Sequence, residues 1–89
     1  MNISIEISMY PLQEDFEPSI DRFLSELHKS ENLKVATNNM STQVFGDINV
    51  VFPTIQRLIH DAYRQGGQCP FVLKVLNSDV SENVIPGYK

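Results

Sequence analysis

The sequence predicts an α+β domain of the ferredoxin-like type, a βαββαβ sandwich in which two helices cover one face of a four-stranded antiparallel sheet. The chain of 89 residues has room for one small domain of about two layers. Along it, apolar side chains recur with a period of two or of about 3.6, in the order strand, helix, strand, strand, helix, strand. Right-handed crossovers then place the first and third strands in the centre of the sheet and the other two at its edges.

The first strand and the first helix have the clearest patterns. Residues 2–10 alternate strictly between apolar and more polar side chains, which predicts a strand with one covered face. Pro11 ends this strand because proline has no N–H for the ladder. An apolar stripe with helical spacing then begins near Asp15 to Glu17, and Pro18 is compatible only with its first turn.

Two short strands follow, joined by a tight turn. The pattern predicts strands over Leu33–Asn38 and Ser41–Ile48. Asn38 and Asn39 are expected to form the turn, since Asn tolerates left-handed conformations. Gly46, inside the second of these strands, predicts a bulge or a close approach by another backbone.

The second helix is expected to begin after Asn49, a good N-cap residue, and to stop at Gly66-Gly67. The last strand, Phe71–Leu76, is a nearly continuous apolar run, which predicts cover on both faces. Residues 1–77 then form the domain. Residues 78–89 form a tail that could dock through Val84, Ile85 and Tyr88.

Composition excludes several classes of function. The net charge of −4 disfavours nonspecific binding to nucleic acid, which requires Lys and Arg side chains. No apolar run approaches the about 20 residues of a membrane span, and no basic leader precedes an apolar segment. The single cysteine fits a reducing compartment. We therefore expect a cytoplasmic protein with no nucleic-acid partner and no membrane insertion.

Catalytic and metal-binding patterns are missing. His28 and His60 each lie on a predicted helix without a second ligand at metal-binding spacing, so a solvated or capping role is expected for both. Cys69 has no neighbouring base and is expected to be a half-buried structural thiol. The sequence thus predicts no enzyme, no metal and no cofactor.

The sheet face without helices carries the most unusual side chains. Two carboxylates and two aromatic rings are expected there, in a set made of Ser4, Glu6, Ser8 and Tyr10 beside Gln43, Phe45 and Asp47. Such a surface suits a flat cationic or amino-bearing ligand, because rings stack and carboxylates accept from N–H groups. The same face could instead pack against a second copy of the chain as a homodimer or homotetramer, and the two readings are compatible.

Two segments resemble the YkoF-like thiamine-binding family. They are Ser8-Met9-Tyr10-Pro11-Leu12 and Met40-Ser41-Thr42-Gln43-Val44-Phe45-Gly46-Asp47, followed by Val51-Phe52 in the second helix. The resemblance extends over about residues 2–77. It implies a ferredoxin-like domain that associates through its sheets and binds thiamine or hydroxymethylpyrimidine without catalysis.

The resemblance also implies candidate ligand contacts. Tyr10, Ser41 and Thr42 match the motif, and their hydroxyls could bond an aminopyrimidine, as could Ser8 at the start of the first motif segment. Phe45 stands where the common pattern has a glutamate, and it could stack on a ring. From physical reasoning alone, Glu6 and Asp47 would contact the cationic side of the ligand. Thr42 could instead be a small core residue, and Tyr10 could only shield a sheet edge.

These observations favour a binding protein for thiamine or its hydroxymethylpyrimidine moiety, acting as a homo-oligomer in vitamin uptake, salvage or carriage. The alternative is an oligomeric interaction or regulatory module without a small ligand. A ferredoxin-like enzyme such as an acylphosphatase is disfavoured, because no Arg lies in a Gly-rich loop that could hold phosphate.

Overall fold

The computed structural model describes residues 1–12, 17–66 and 68–82. Its elements are β1 (Asn2–Met9), α1 (Glu17–His28), β2 (Lys34–Thr37), β3 (Thr42–Asp47), α2 (Ile48–Arg64) and β4 (Phe71–Leu76). The strands form one sheet in the order β2-β3-β1-β4, and each neighbouring pair is antiparallel. The predicted ferredoxin-like order and the central position of the first and third strands are confirmed.

The core lies between the sheet and the two helices. Alternation along β1 turns Ile3, Ile5 and Ile7 toward the helices, where each is at most 2% exposed. Their buried partners are Val44 of β3, Phe23 and Leu27 of α1, and Val51, Ile55 and Leu58 of α2. The predicted covered face of β1 is therefore confirmed.

The junction between β3 and α2 differs from the prediction. The helix begins at Ile48 and its N-cap is Asp47, whose Oδ1 accepts a hydrogen bond from the backbone N–H of Asn49 at 2.8 Å. The predicted cap at Asn49 and the extension of the strand to Ile48 are wrong. Asp and Asn cap helices about equally well, so local preference cannot choose between them, and the chain passes directly from strand to helix.

The turn between β2 and β3 forms by a different route from the one expected. The side-chain oxygen of Asn38 accepts from the backbone N–H groups of Met40 and Ser41, at 2.8 and 3.1 Å. No residue other than glycine has a positive φ in the part of the chain that the structure describes. The expected left-handed Asn is therefore wrong, because the side chain rather than the backbone conformation closes the turn.

Two glycines have the predicted roles. A Cβ on Gly46 would lie 2.7 Å from Leu33 Cδ2 and 3.3 Å from the carbonyl oxygen of Asn32, which confirms the close approach. At the end of α2, Gln65 is the C-cap and Gly66 has a φ of 90°. This confirms the helix stop, although Gly67 lies outside the described residues.

Strand β4 lacks the cover that its apolar run predicted. Val72 and Leu76 lie on the open face and are 57% and 44% exposed. Both helices pack on the opposite face, where Phe71 and Leu73 are only partly buried against the core. The prediction of cover on both faces is therefore wrong.

Residues 78–82, here called the strap, return across the open face. The hydroxyl of Ser4 donates to the carbonyl oxygen of Ser78 at 2.6 Å and accepts from the N–H of Val80 at 3.0 Å. Lys34 Nζ lies 3.0 Å from Glu82 Oε1, so the strap reaches from the β4 side of the sheet to β2. Val84, Ile85 and Tyr88, which were expected to dock the tail, lie outside the described residues.

The described helices also bear on the membrane question. None of them is both long enough and apolar enough to cross a bilayer.

Candidate functional site

The predicted site residues divide between two cavities that share β1. The first, here called the hairpin-end cavity, has a volume of about 250 Å³ and lies between α1 and the β2–β3 turn. The second, the open-face cavity, has a volume of about 340 Å³ and lies on the sheet face without helices. Ser8, Tyr10, Ser41 and Thr42 line the first, whereas Glu6 and Phe45 line the second. Asp47 lines neither.

The hairpin-end cavity joins an apolar wall to several polar groups. Its apolar side consists of Ile7 and Met9 from β1 with Ile20, Phe23 and Leu24 from α1. Its polar side consists of the turn between β2 and β3 together with Ser8 and Tyr10. A few convergent polar groups on an apolar wall are typical of small-molecule sites.

Three side chains form a hydrogen-bonded row at this cavity. His28 Nε2 lies 2.9 Å from Thr37 Oγ1, and Thr37 Oγ1 lies 2.9 Å from Thr42 Oγ1. Thr42 is 4% exposed, which agrees with the alternative interpretation of Thr42 as a small core residue. It also lines the cavity. Sequence reasoning missed Thr37 and the link to His28. The sequence pattern that could have indicated Thr37 was its position on the same strand face as Val35, which is the face toward the helices.

Glu6 and Ser41 connect the two cavities. Ser41 Oγ donates to Glu6 Oε2 at 2.8 Å and accepts from Gln43 Nε2 at 2.8 Å. Lys74 Nζ lies 3.4 Å from Glu6 Oε1. The hydrogen bond from Ser41 and then the nearby Lys74 lower the pKa of Glu6 below its usual range. Glu6 is therefore a charged carboxylate whose charge Lys74 already balances.

The open-face cavity lies under the strap. Phe45 is directly opposite Ser4 in the register of β1 and β3, and Val80 of the strap lines the same cavity. Because the strap bonds to the Ser4 hydroxyl, residue Ser4 is only 6% exposed although its strand face has no helix above it. The open face is thus partly covered by the chain itself.

Asp47 lies apart from the other predicted ligand contacts. The backbone N–H of Asn49 and then the Met1 ammonium group, whose nitrogen is 3.2 Å from Asp47 Oδ2, lower the pKa of this carboxyl. In the sheet, Asp47 is opposite Asn2 while Glu6 is opposite Gln43. Four residues of strand separate the two carboxylates, which is about 13 Å. One small ligand therefore cannot place a single cationic group against both.

A larger depression of about 850 Å³ lies between α2 and β4 and contains none of the predicted site residues. Phe52, Ile59, Tyr63 and Leu73 give it a mainly apolar surface. Of the residues that carry the family resemblance, only Phe52 lines this depression, so its size alone does not make it the candidate site.

Groups for other chemistry are sparse. Within the described ranges, no three His, Cys, Asp or Glu side chains are grouped so that they could hold a metal ion. Cys69 is partly buried, and burial raises the pKa of its thiol. A raised pKa keeps the thiol protonated and therefore a poor nucleophile.

Comparison with solved structures shows the same fold in proteins of three organisms. A proposed thiamine biosynthesis/salvage protein of Thermotoga maritima has a TM-score of 0.76 at 18% identity, with 88% of this chain and 85% of that chain covered. A hypothetical protein of Methanocaldococcus jannaschii has a TM-score of 0.74 at 22% identity, with 94% and 88% covered. A protein of Streptococcus pneumoniae has a TM-score of 0.79 at 16% identity, with 90% of each chain covered.

Among curated proteins, no sequence matches the chain. A family model does match. The model of the YKOF-related family covers residues 2–76, which include all four strands and both helices. The chain therefore belongs to the YKOF-related family.

Proposed function

We propose that this protein binds thiamine or its hydroxymethylpyrimidine moiety without catalysis, and that the hairpin-end cavity holds the pyrimidine ring. One observation carries the proposal. The two family-like segments, about thirty residues apart in sequence, meet at this cavity through Ser8 and Tyr10 on one side and Ser41 and Thr42 on the other. Family membership and the name of the Thermotoga maritima neighbour support a thiamine-related role.

The chemistry of the cavity fits an aminopyrimidine. Phe23 and Leu24 offer apolar surface to a ring. Ser41, whose proton goes to Glu6, keeps a lone pair for a ligand, and the hydroxyl of Thr42 can donate or accept. The volume of about 250 Å³ is slightly below the range of about 300–1,000 Å³ typical of drug-sized ligands. A single ring is therefore the better match, and the thiazolium ring of thiamine would extend out of the cavity.

The proposed biological setting is vitamin uptake, salvage or carriage in the cytoplasm by a homo-oligomer. Phe45, Val72 and Leu76 provide apolar surface on the open face for contact with a second copy. In this arrangement residues 1–77 form the domain and residues 78–89 form a tail, of which the described part, the strap, limits how much of the face is available.

Calorimetric titration of the purified protein with thiamine and with hydroxymethylpyrimidine tests the proposal. We expect saturable heat and a rise in melting temperature, because a ligand that binds only the folded state stabilises it by about 2.7 kcal/mol at 100 times its Kd. Absence of both heat and thermal shift at about millimolar ligand would reject a ligand-binding function.

An interaction module is the second candidate, and the exposed apolar residues on the open face favour it. Phe45→Glu separates the two functions, because a charge on this face should dissociate a sheet-to-sheet oligomer. Light scattering coupled to size exclusion would report the mass. If the protein is an interaction module, Phe45→Glu should dissociate the oligomer, and neither the wild type nor the variant should bind thiamine. If it is a binding protein, the variant should still bind thiamine in the hairpin-end cavity.

A further inference from the structure

His28 is connected to the hairpin-end cavity only through hydrogen bonds of other side chains. It is exposed in the last turn of α1 and is not among the residues that line the cavity. Its Nε2 atom lies 2.9 Å from Thr37 Oγ1, which in turn lies 2.9 Å from Thr42 Oγ1. Both threonines line the cavity. The imidazole is therefore at the solvent end of a row that ends at a buried hydroxyl.

Each hydroxyl in this row has one proton to donate, so Thr37 cannot donate to both His28 and Thr42. If His28 Nε2 donates to Thr37, then Thr37 keeps its proton to donate to Thr42, which leaves the proton of Thr42 available to a ligand. If His28 Nε2 accepts from Thr37, then Thr37 accepts from Thr42. In that case the proton of Thr42 is already used, and Thr42 presents only a lone pair.

We propose that His28 is a positioning residue that determines, through Thr37, whether Thr42 donates to or accepts from a ligand in the hairpin-end cavity. This inference rests on the proposed function. It assigns a specificity role to a residue that sequence patterns placed among solvated or capping histidines. His28 thereby determines whether the cavity prefers a ligand with an exocyclic amino group, which donates, or a ligand with an oxo group, which accepts.

A purely structural role for the row makes a different prediction. The buried hydroxyl of Thr42 needs a hydrogen-bond partner in any case, and Thr37 supplies one without His28. If His28 only supports the end of α1, its replacement should weaken binding of every ligand by the same factor.

The test compares hydroxymethylpyrimidine, which has an exocyclic amino group, with its analogue that has an oxo group at the same ring position. Both are titrated calorimetrically into the wild type, His28→Phe and His28→Gln, with Lys29→Gln as an exposed control on the next residue. We expect His28→Phe to change the ratio of the two affinities by about fivefold to tenfold, the size of one neutral hydrogen bond. His28→Gln, which keeps a donor and an acceptor, should recover part of the ratio, and Lys29→Gln should leave it unchanged.

A second set of variants tests whether His28 acts through Thr37. Thr37→Val removes the middle hydroxyl while keeping a side chain of similar shape. In this background His28→Phe should have no further effect on the affinity ratio, since residues of one network are not additive. An unchanged ratio in His28→Phe, or an additional change in the double variant, overturns the inference while leaving the proposed function intact. If neither pyrimidine binds the wild type, both the proposed function and the role of His28 are rejected.

Discussion

The hairpin-end cavity and the open-face cavity have similar volumes, about 250 and 340 Å³, but opposite surroundings. The first lies between packed elements, with the side chains of α1 on one side and a row of hydroxyls on the other. The second lies on the sheet face without helices, next to a carboxylate that Lys74 already balances, and under the strap. Because the hairpin-end cavity combines an apolar wall with several hydroxyls, whereas the carboxylate of the open-face cavity already has a cationic partner, we propose the hairpin-end cavity as the ligand site.

Sequence reasoning placed the ligand on the open face because it assigned each side chain of β1 to a face by alternation alone. Alternation along β1 assigns Ser4, Glu6, Ser8 and Tyr10 to that face, and it does so correctly for the first three, which are opposite Leu76, Lys74 and Val72 of β4. The strand ends at Met9, so Tyr10 lies beyond it, and both Ser8 and Tyr10 also line the hairpin-end cavity. Alternation assigns the faces within a strand, but it does not show which cavity a side chain near the end of the strand lines.

The largest expected effect comes from Ile5→Ala, which would disrupt the sheet beneath both cavities. Ile5 is 2% exposed and lies between Val44 and Val75 in the sheet. Truncation of such a buried side chain should lower the free energy of unfolding by about 2–5 kcal/mol. Urea denaturation followed by circular dichroism measures the loss. Val72→Ala on the exposed face of β4 is the control and should change stability by at most about 0.5 kcal/mol; equal losses would mean that Ile5 is not a core residue.

Replacing one aromatic ring at each cavity decides which cavity holds the ligand. Tyr10→Ala should weaken binding of hydroxymethylpyrimidine by about tenfold, the upper range for the loss of one aromatic contact. Phe45→Ala should leave this affinity unchanged, because Phe45 lines only the open-face cavity. Calorimetry measures both affinities. The reverse result would assign the ligand to the open face.

The strap is expected to open without unfolding the domain when Ser4 is replaced by Ala. The Ser4 hydroxyl makes two hydrogen bonds to the strap, and its loss should accelerate hydrogen exchange at the Val80 amide by about tenfold. Ser8→Ala, on the same face of β1, is the matched control. Unchanged exchange at Val80 would show that the strap is held by other contacts.

The smallest expected effect is the pH dependence that Glu6 contributes. Its pKa is lower in the folded protein than the ordinary value of 4.5, so its contribution to stability is present above that value. This contribution is lost as the pH falls through the lowered pKa. Glu6→Gln should therefore flatten the dependence of melting temperature on pH in the acid range below about 4.5. Parallel profiles for the variant and the wild type would contradict a coupling of Glu6 to Ser41 and Lys74.

Much of the fold followed from local patterns, and the errors have physical causes. Alternation in the first three strands, the apolar run of β4 and the helical stripes identified the six elements, since each pattern depends only on neighbouring residues. The start of α2 was placed two residues late because Asp47 and Asn49 are comparable caps. The exposed face of β4 was missed because an apolar run indicates burial, whereas Val72 and Leu76 lie on the face that the helices leave open.

The sequence by itself determined which residues belong to the motif segments, which face of β1 is buried, and where Gly46 requires a close approach. Only the tertiary structure decided that Ser41 bonds Glu6, that Thr37 connects His28 to Thr42, and that the strap covers Ser4. The reason is the distance in sequence over which each feature is defined. Periodicity is a property of adjacent residues, whereas these contacts depend on strand register, the position of α1 over the sheet and the path of the chain after β4.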